Sequence, residues 1–240
     1  MTNAIFVAAG FGSRFKEMTK SQHKALLPVN EIPNMERTIR FLNEAGITDI
    51  TILTGYLHEL FDYLPKKYPG VRLIYNDKYD VYNNLYTFSL GLDHFSDTFV
   101  IDGDTVLGRN IFQVPETSTY FITRRKDTTG EWCPEVGADG FVQKMRIPQT
   151  NEELYTLSGV TYWTAADAEK IKKYYPQYLN EDQLEDSSLF WDNIPIDHFD
   201  QIHVKVEKLP ACSAFEMDNQ ADYAYAQSYL AQCEKNQIKN

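Results

Sequence analysis

The sequence predicts an α/β fold with a mixed, mostly parallel sheet flanked by helices and with an antiparallel extension. Three observations support this prediction. Apolar runs alternate with helical patterns through the first half of the 240 residues, strand patterns follow one another directly after Asp104, and helical patterns return toward the C-terminus. Strands separated by helices pair in parallel through right-handed crossovers, whereas strands joined by short turns pair antiparallel.

The first half alternates predicted strands with predicted helices. Each strand is a short, mostly apolar run, as expected for strands that are buried on both faces. The first helix begins at Pro33 and ends at Gly46, which are typical start and stop residues. In chain order, the predicted elements are strand 4–8, helix 33–46, strand 49–54, helix 58–64, strand 71–75, helix 84–92 and strand 98–101.

The second half begins with strand patterns and ends with helical ones. No repeat, low-complexity segment or linker interrupts it, so residues 1–240 are interpreted as a single domain. In chain order, the predicted elements are strands 120–123, 131–136, 142–147 and 157–163, helices 165–175 and 182–194, strand 203–207 and helix 220–234.

The composition is that of a soluble globular protein, with 43% hydrophobic and 24% charged residues. The formal net charge of −11 argues against nucleic acid or an anionic membrane as a partner, because like charges repel. No run approaches the roughly 20 apolar residues that a membrane-spanning helix needs. A chain of this length needs no disulfide or metal to fold, and its three cysteines favour a reducing, cytoplasmic location.

A glycine-containing loop directly follows the first predicted strand. Two glycines at this place let backbone N–H groups approach a phosphate closely. Phe15 occupies the position of the third glycine of a dinucleotide fingerprint, and there is no Gly-Lys-Ser/Thr, so neither a Rossmann dinucleotide site nor a P-loop fits. A simple tight turn is the alternative. The loop residues are Ala8, Ala9, Gly10, Phe11, Gly12 and Ser13.

Basic residues follow this loop within an otherwise acidic chain. Arg14, Lys16, Lys20 and Lys24, set against Glu17, give the stretch a net charge of +3. Cations beside a glycine loop suit a polyphosphate, because charge-assisted hydrogen bonds to phosphate oxygens are strong. The sequence therefore predicts a nucleoside triphosphate site, and a solvated basic face is the alternative.

Two segments carry candidate metal ligands. Asp102 and Asp104 flank Gly103 at the end of a predicted parallel strand, the sheet edge at which ligands bind in open α/β folds. Mg²⁺ takes few protein carboxylates and fills its shell with phosphate oxygens and water. Asp218 precedes the last predicted helix. The alternatives are an ordinary turn after the strand and a helix N-cap.

Aromatic and acidic residues lie close together in the second half of the sequence. Trp132 and Trp191 occur beside Glu131 and Asp192, and Glu216 follows later. Aromatic faces bind quaternary ammonium groups, and nearby carboxylates add attraction. This pattern suggests a choline-like ligand, and burial of the tryptophans in the core is the alternative.

Motifs along nearly the whole chain resemble those of bacterial CTP:phosphocholine cytidylyltransferases, within the nucleotidyltransferases of sugar-1-phosphate type. One departure is His23, which stands where the usual proline precedes the lysine. The resemblance rests on residues 7–15 and 24–29 and on the segments 76–79, 82–84, 130–132, 157–160, 191–193 and 216–218. It implies the Rossmann-like fold of nucleotide-diphospho-sugar transferases and the synthesis of CDP-choline and pyrophosphate from CTP and phosphocholine.

The resemblance also implies roles for individual residues. Asp104 and Asp218 would hold Mg²⁺, with Asp102 behind them. Arg14 and Lys24 would be catalytic, neutralising charge as an acceptor phosphate oxygen attacks the α-phosphorus in line. Asn76 and Asn83 would lie near the cytosine, beside the glycine loop. Trp132, Trp191, Asp192 and Glu216 would form the choline pocket, and Phe190 stands where a tyrosine is expected. Arg125 would reach the acceptor phosphate or, alternatively, belong to a solvated strand end.

Three other functions stay open at this stage. A sugar-1-phosphate nucleotidylyltransferase would share the glycine loop and the aspartates but would not need an aromatic pocket. A phosphoethanolamine enzyme would bind a primary ammonium with more hydrogen-bond acceptors. A non-catalytic, nucleotide-binding regulatory subunit could use the same fold. The sequence does not indicate an oligomeric state.

Overall fold

The computed structural model describes residues 1–237, except for the side chains of Lys16 and of residues 234–237. The strands, in chain order, are β1 (Asn3–Ala8), β2 (Pro28–Val29), β3 (Ile32–Pro33), β4 (Ile50–Thr54), β5 (Val71–Tyr75), β6 (Thr98–Asp102), β7 (Thr105–Leu107), β8 (Thr119–Arg125), β9 (Cys133–Val136), β10 (Val142–Arg146), β11 (Leu154–Trp163), β12 (Lys205–Lys208) and β13 (Ala214–Glu216). The α-helices are α1 (Asn34–Glu44), α2 (Leu64–Lys67), α3 (Asn84–Ser89), α4 (Ala165–Tyr174), α5 (Glu181–Glu185), α6 (Asn193–Asp197) and α7 (Gln220–Gln237). Short 3₁₀ helices span Ser13–Lys20, Lys24–Leu26, His58–Phe61, Leu92–His94 and Tyr175–Tyr178.

A seven-stranded sheet in the order β12-β8-β11-β6-β1-β4-β5 forms the centre of the molecule. Strands β6, β1, β4 and β5 are parallel neighbours, and β12 also runs parallel to β8. Strand β11 lies antiparallel between β6 and β8. This arrangement confirms the predicted mixed, mostly parallel sheet with its antiparallel part, and β9 and β10 form a separate antiparallel pair.

Apolar side chains cover the central sheet on both faces. Successive residues of a strand point to opposite faces. Within β1, Phe6 accordingly packs into one buried cluster with Met35 and Ile39 of α1. Its neighbour Ile5 packs into the other, with Phe88 of α3. Burial on both faces explains why these strands read as continuous apolar runs.

The predicted helix 182–194 is wrong, because the structure divides this stretch into α5 and α6 with a loop between them. Asp186 Oδ1 accepts hydrogen bonds from the backbone N–H and the hydroxyl of Ser188, at 2.9 and 2.6 Å. Asn193 Oδ1 accepts the Phe190 N–H at 2.7 Å. These side-chain bonds to the backbone compete with helix continuation. The loop brings Phe190 and Asp192 to the functional cleft.

Two of the three cysteines are oxidised to a disulfide, although the cysteine content favours a reducing location. Cys212 and Cys233 form a disulfide, and Cys133 is free and buried. The bridge joins the loop before β13 to α7, which packs Ala226 and Leu230 into a third apolar cluster. Within residues 1–237, the structure has no helix both long enough and apolar enough to cross a membrane.

Candidate active site

A cleft of about 720 Å³ opens at the carboxyl ends of the parallel strands β1 and β6. Both strands end at this edge of the sheet, so the loops that follow them face each other across the opening. The antiparallel strand β11 contributes to the wall, as do the loops before α3 and α6 and the segment after β13. The polar and aromatic lining residues are Arg14, Lys24, Tyr79, Tyr82, Asn83, Asn84, Thr87, Asp102, Asp104, Thr129, Glu131, Trp132, Thr161, Phe190, Trp191, Asp192, Glu216 and Asp218.

The glycine loop forms one wall of the cleft through its first half. Ala8, Ala9 and Gly10 line the opening, whereas Phe11, Gly12 and Ser13 are not part of the lining. Gly12 has φ +60°, and a Cβ there would lie 3.2 Å from Cδ of Lys24, so glycine suits this position.

The Phe11 side chain is 44% exposed and packs on two tyrosines at the rim of the cleft. Its ring centroid lies 5.1 Å from that of Tyr56 and 5.2 Å from that of Tyr79. The structure therefore places the Phe11 side chain against these rings, and of the three only Tyr79 lines the cleft.

Lys24 and Asp104 form an ion pair inside the cleft, with 2.5 Å between Nζ and Oδ2. Burial alone would lower the pKa of Lys24, but the carboxylates of Asp104, Asp218 and Asp102 raise it above its ordinary value. Burial would raise the pKa of Asp104, but Lys24 and then Arg14 hold it below its ordinary value. Both side chains are therefore charged at neutral pH.

Backbone pairing brings Asp104 and Asp218 to the same place. Strands β7 and β13 pair antiparallel directly after Asp104 and before Asp218, and the Met217 N–H donates to the Asp104 carbonyl at 3.0 Å. The Asp218 carboxylate forms an ion pair with the Arg14 guanidinium at 2.9 Å. The four residues Arg14, Lys24, Asp104 and Asp218, far apart in the sequence, thus meet in the cleft. The Lys16 side chain lies outside the described residues.

Asp102 lies behind this pair, at the end of β6. Burial raises its pKa well above the ordinary value, and the charges of Asp104 and Asp192 add to the effect. Gly159 of β11 lies beside it with φ +73°, and a Cβ there would come 2.1 Å from the Thr105 hydroxyl. Only glycine lets β11 approach β6 and β7 this closely, which explains why the segment 157–160 carries a glycine.

Aromatic side chains line the other end of the cleft. The Trp132 and Phe190 rings meet edge to face with centroids 5.9 Å apart, and Phe190 is 42% exposed. Trp191 is only 1% exposed and stacks on Phe88 at 4.3 Å, so most of its ring belongs to the core. Trp191 therefore combines both sequence interpretations, since it is a core residue that also contributes to the cleft wall.

Asp192 lies among these rings without a cationic partner in the described part of the chain. Its Oδ1 atom is completely covered, and no protein group donates a hydrogen bond to it. Burial raises the pKa of Asp192 to about 7. The buried Trp191 indole N–H also has no acceptor among residues 1–237. An uncompensated carboxylate of this kind suits a cationic ligand.

Arg125 bridges two carboxylates of the cleft wall. Its guanidinium donates to Glu131 at 2.7 Å and also to Glu216. Burial raises the pKa of Glu216 to about 8, against the opposing effect of Arg125. Arg125 itself is not part of the lining, so the structure places it as the partner of Glu216 and not as a solvated strand end.

The two predicted cytosine-side asparagines lie in different surroundings. Asn76 is completely buried beneath the cleft, where its amide donates to Thr87 and its oxygen accepts from the Lys78 N–H. The structure does not bring Asn76 into the cleft lining. Asn83 lines the cleft, caps α3 by accepting the Leu85 N–H and donates to the Gln183 carbonyl. Its side chain joins α3 to α5.

Several lining residues were missed by the sequence analysis. Tyr79, Tyr82 and Asn84 belong to segments quoted for the resemblance, but no chemical pattern distinguished them. Tyr82 packs on Tyr86 at 5.2 Å, and Asn84 Oδ1 accepts the Trp191 N–H at 2.7 Å. Asn84 thus fixes the chain beside Asp192, and only its place in a resemblance segment could have indicated this.

The chain is similar to several known proteins over most of its length. Residues 4–113 match the MobA-like NTP transferase domain. The choline-phosphate cytidylyltransferase of Haemophilus influenzae is 46% identical, over 92% of this chain and 94% of that protein. The one from Streptococcus pneumoniae is 42% identical, over 95% of this chain and 97% of that protein. The 2-aminoethylphosphonate cytidylyltransferase of Lancefieldella rimae is 32% identical, over 93% of this chain and 91% of that protein.

Solved structures show the same relationship. The CTP:phosphocholine cytidylyltransferase from Streptococcus pneumoniae superposes with a TM-score of 0.89 at 40% identity, over 95% of this chain and 99% of that one. A UDP-glucose pyrophosphorylase, at 15% identity and a TM-score of 0.73, covers 98% of this chain and 99% of that one and shares the nucleotide-diphospho-sugar transferase fold alone. Because curated relatives at 46% and 42% identity align over more than nine-tenths of its length, the chain belongs to the bacterial choline-phosphate cytidylyltransferase family.

Proposed function

We propose that this protein transfers a cytidylyl group from CTP to phosphocholine, giving CDP-choline and pyrophosphate. The observation that carries the proposal is the unpaired Asp192 carboxylate among aromatic rings, in the same cleft as the Lys24–Asp104 and Arg14–Asp218 pairs. One end of the cleft is suited to a triphosphate and the other to an organic cation. Phosphocholine and CTP are the pair of substrates that this combination and the family membership favour.

The cations and the glycine loop act on the nucleotide. Lys24 and Arg14 would donate to the triphosphate and neutralise the charge that develops on the departing pyrophosphate. A phosphocholine oxygen forms the new bond to the α-phosphorus of CTP as the bond from that phosphorus to the oxygen bridging the β-phosphorus breaks. The electron pair of the broken bond leaves with pyrophosphate. The acceptor phosphate is already anionic, so the step needs positioning more than a strong base.

Asp104 and Asp218 fit a Mg²⁺ site. The Met217 N–H to Asp104 carbonyl bond holds the two residues together, and both carboxylates face the cleft. Each one is paired with a cation that a triphosphate would also attract, Lys24 or Arg14. Mg²⁺ uses one or two protein carboxylates together with phosphate oxygens, which matches this donor set. When bound, Mg²⁺ would supply additional charge neutralisation on the phosphates.

The aromatic end would bind the trimethylammonium group. Trp132 and Phe190 present ring faces and edges, and Asp192 supplies the opposite charge. Arg125 already neutralises Glu216 in part, which leaves Asp192 as the carboxylate without a protein cation in this part of the described cleft. The relative from Lancefieldella rimae is named for 2-aminoethylphosphonate, which carries a primary ammonium group. Acceptors with a primary ammonium group should therefore be compared with phosphocholine.

Release of pyrophosphate tests the proposal. We would supply Mg²⁺ and each of the four ribonucleoside triphosphates with phosphocholine, phosphoethanolamine, 2-aminoethylphosphonate or glucose 1-phosphate. We expect rapid release with CTP and phosphocholine, and at least about ten-fold lower kcat/KM with the primary amines, because they lack the methyl groups that contact the rings. Turnover that prefers a primary amine or a sugar phosphate would contradict the proposed acceptor. CTP binding without turnover would instead support a regulatory role.

We also propose that the protein works in the cytoplasm, where CTP is synthesised. The proposed substrates are small and charged, so a compartment that supplies both is required. Disulfides are rare in such a reducing compartment, which makes the redox state of Cys212 and Cys233 in cells an informative measurement. Fractionation followed by thiol labelling would test both points, and an exclusively extracellular protein would contradict the location.

A further inference from the structure

The His23 side chain connects the glycine loop to the turn that carries Lys24. The imidazole is 1% exposed and packs edge to face on Phe61, with ring centroids 4.9 Å apart. Its Nε2 lies 3.1 Å from the Gly10 carbonyl oxygen, and its Nδ1 lies 3.1 Å from the Ala25 backbone nitrogen. One ring therefore contacts both segments that face the nucleotide end of the cleft.

These two contacts define the protonation state of the ring. The Ala25 N–H can only donate, so Nδ1 is the acceptor, and the Gly10 carbonyl can only accept, so Nε2 carries the proton. This is the neutral Nε2–H tautomer. Burial, with the Lys24 ammonium as the next cause, lowers the pKa of His23 to about 4, in agreement with a neutral ring at pH 7.

The bond to Gly10 fixes the orientation of the peptide between Gly10 and Phe11. In a trans peptide the C=O and the following N–H point in opposite directions. The Gly10 carbonyl points inward to the buried His23, so the Phe11 N–H points outward, away from the protein interior. No hydrogen bond within the described part of the chain satisfies the N–H groups of Phe11, Gly12 and Ser13. The open space around Gly10 leaves room for a ligand on this side.

We propose that His23 is a positioning residue. It holds the Gly10–Phe11 peptide so that the Phe11 N–H faces the nucleoside triphosphate, and the same imidazole caps the turn that carries Lys24. The proposal rests on the proposed use of CTP. His23 bonds Gly10 through Nε2 and caps Ala25 through Nδ1, so substitution can separate the two roles. An outward N–H lowers the free energy of the complex with an anion, because it need not rotate or lose another partner on binding.

Two substitutions of His23 each keep one hydrogen bond of the imidazole and remove the other. In His23→Asn, the amide oxygen takes the place of Nδ1 and keeps the cap on Ala25, but no atom reaches the Gly10 carbonyl. In His23→Gln, the amide nitrogen takes the place of Nε2 and keeps the bond to Gly10, while the cap is lost. We expect His23→Asn to weaken CTP binding about five-fold, which corresponds to the loss of one buried hydrogen bond. We expect His23→Gln to bind CTP within about two-fold of the unsubstituted protein.

Calorimetric titration with CTP and Mg²⁺ measures these affinities, and circular dichroism measures the melting temperatures. The KM for phosphocholine should stay the same in both variants, which a general loss of structure would not produce. Equal CTP affinity in His23→Asn and the unsubstituted protein would overturn the proposal, as would equal weakening in both variants. If the unsubstituted protein binds no CTP, the proposed function is wrong and the inference falls with it.

A second measurement does not depend on nucleotide or on the variants folding. Long-range ¹H–¹⁵N correlation spectra of the unsubstituted protein at pH 7 report which ring nitrogen carries the proton. We expect the neutral Nε2–H tautomer for His23. A protonated ring or an Nδ1–H tautomer would overturn the proposal, because neither fits the Ala25 and Gly10 contacts together.

Discussion

Two carboxylates in the cleft differ in how their charge is held. Asp104 is paired with Lys24 and keeps its charge, so it belongs to a set of fixed charges at the proposed nucleotide end. Asp192 has no cationic partner in the described chain, and burial raises its pKa to about 7, close to neutral pH. The same residue type therefore supplies a permanent charge at one end and a charge that depends on the ligand at the other.

Asp104→Asn should abolish most of the turnover while leaving the fold intact. The side chain lies in the turn between β6 and β7 and is 19% exposed, so the isosteric amide costs little packing. The substitution removes the negative charge that pairs with Lys24 and that is proposed to bind Mg²⁺. We expect kcat to fall by about 100-fold or more, as when another enzyme loses one group that stabilises charge in the transition state. Pyrophosphate release and the melting temperature check this.

The matched control is Asp93→Asn, the same chemical change at an exposed residue on the 3₁₀ helix Leu92–His94. Its turnover should equal that of the unsubstituted protein. Near-normal turnover of Asp104→Asn with Mg²⁺ present would remove Asp104 from the proposed metal site.

Trp132→Ala should affect the acceptor much more than the nucleotide. The ring packs edge to face on Phe190 in the wall of the cleft, and the Lys24–Asp104 ion pair does not involve it. Loss of one cation–π contact predicts a rise of about ten-fold in the KM for phosphocholine, with the KM for CTP changed less than about two-fold. Trp132→Phe, which keeps an aromatic face, should recover most of the affinity. Equal increases in both KM values would show that Trp132 supports the fold of the cleft and does not contact choline.

Residue identity predicted part of the site, and the environment decided the rest. Arg14 and Lys24 stand out as basic residues after a glycine loop, and Asp104 stands out at the end of a predicted strand. Asp218 looks like an ordinary helix N-cap, and only the resemblance indicated it as a metal ligand. Asn76 could not be judged from its type, since an asparagine that binds Thr87 under the cleft looks the same in sequence as one that binds a base. Arg125 likewise showed its partners Glu131 and Glu216 only in three dimensions.

At the scale of elements, the buried parallel strands were predicted well, and the strands of only three residues were not. The parallel strands β1, β4, β5 and β6 all lie close to their predicted bounds, because their apolar runs are continuous. Strands β7 and β13, of three residues each, were not predicted, although their pairing is what brings Asp218 to Asp104. Such short strands form because of their tertiary partner and carry no periodic signal of their own.

The Cys212–Cys233 disulfide attaches α7 covalently to the loop before β13. Cys212 and Cys233 are 21 residues apart, and a closed loop of this length stabilises a fold by about 3 kcal/mol in the chain-entropy model. Reduction, or the double substitution Cys212→Ser with Cys233→Ser, should therefore lower the melting temperature by about 6–12 °C. Turnover at 25 °C should persist, since neither cysteine lines the cleft.

Thiol titration under denaturing conditions gives the matching count, because Cys133 is the free cysteine of the three. One reactive thiol is expected before reduction and three after it. Cys133→Ser serves as the control, and it should leave no thiol before reduction. Three thiols in the unreduced protein, with no change of melting temperature on reduction, would contradict the bridge.

At the scale of the whole molecule, the cleft concentrates negative charge in a chain that is already acidic. The net charge is −11, and Asp102, Asp104, Asp192, Glu216 and Asp218 all line the cleft. Lys24, Arg14 and Arg125 pair with three of these carboxylates. Burial raises the pKa values of Asp102, Asp192 and Glu216, which reduces the repulsion between them in the free protein. A cation that binds beside one of these carboxyl groups favours loss of its proton.

Choline binding should release a proton and strengthen as the pH rises through about 7. The protonated form of Asp192 has no charge to offer a quaternary ammonium, so affinity is low below its pKa of about 7 and reaches a plateau above it. Asp102, Tyr120 and Tyr175 interact electrostatically with the same carboxyl group, and burial raises the pKa of each. None of these side chains can carry a positive charge, so none of them compensates the charge of Asp192. Choline has no group that titrates in this pH range, so any proton released on binding comes from the protein. Phosphocholine is less suitable, because its phosphate also titrates.

Calorimetry at pH 6.5 in buffers of different ionisation enthalpy measures the proton directly. The heat of choline binding should vary with the buffer, with a slope that corresponds to release of about half a proton or more per choline bound. Asp192→Asn should bind choline more weakly, with less proton release and a weaker dependence on pH between 6 and 8. The remaining dependence would come from Glu216, whose pKa burial raises to about 8. If the unsubstituted protein binds choline with the same affinity and the same heat in every buffer across this range, Asp192 is already ionised in the free protein. The charge at the acceptor end would then be fixed, as it is at Asp104, and ligand-linked titration could not explain choline recognition.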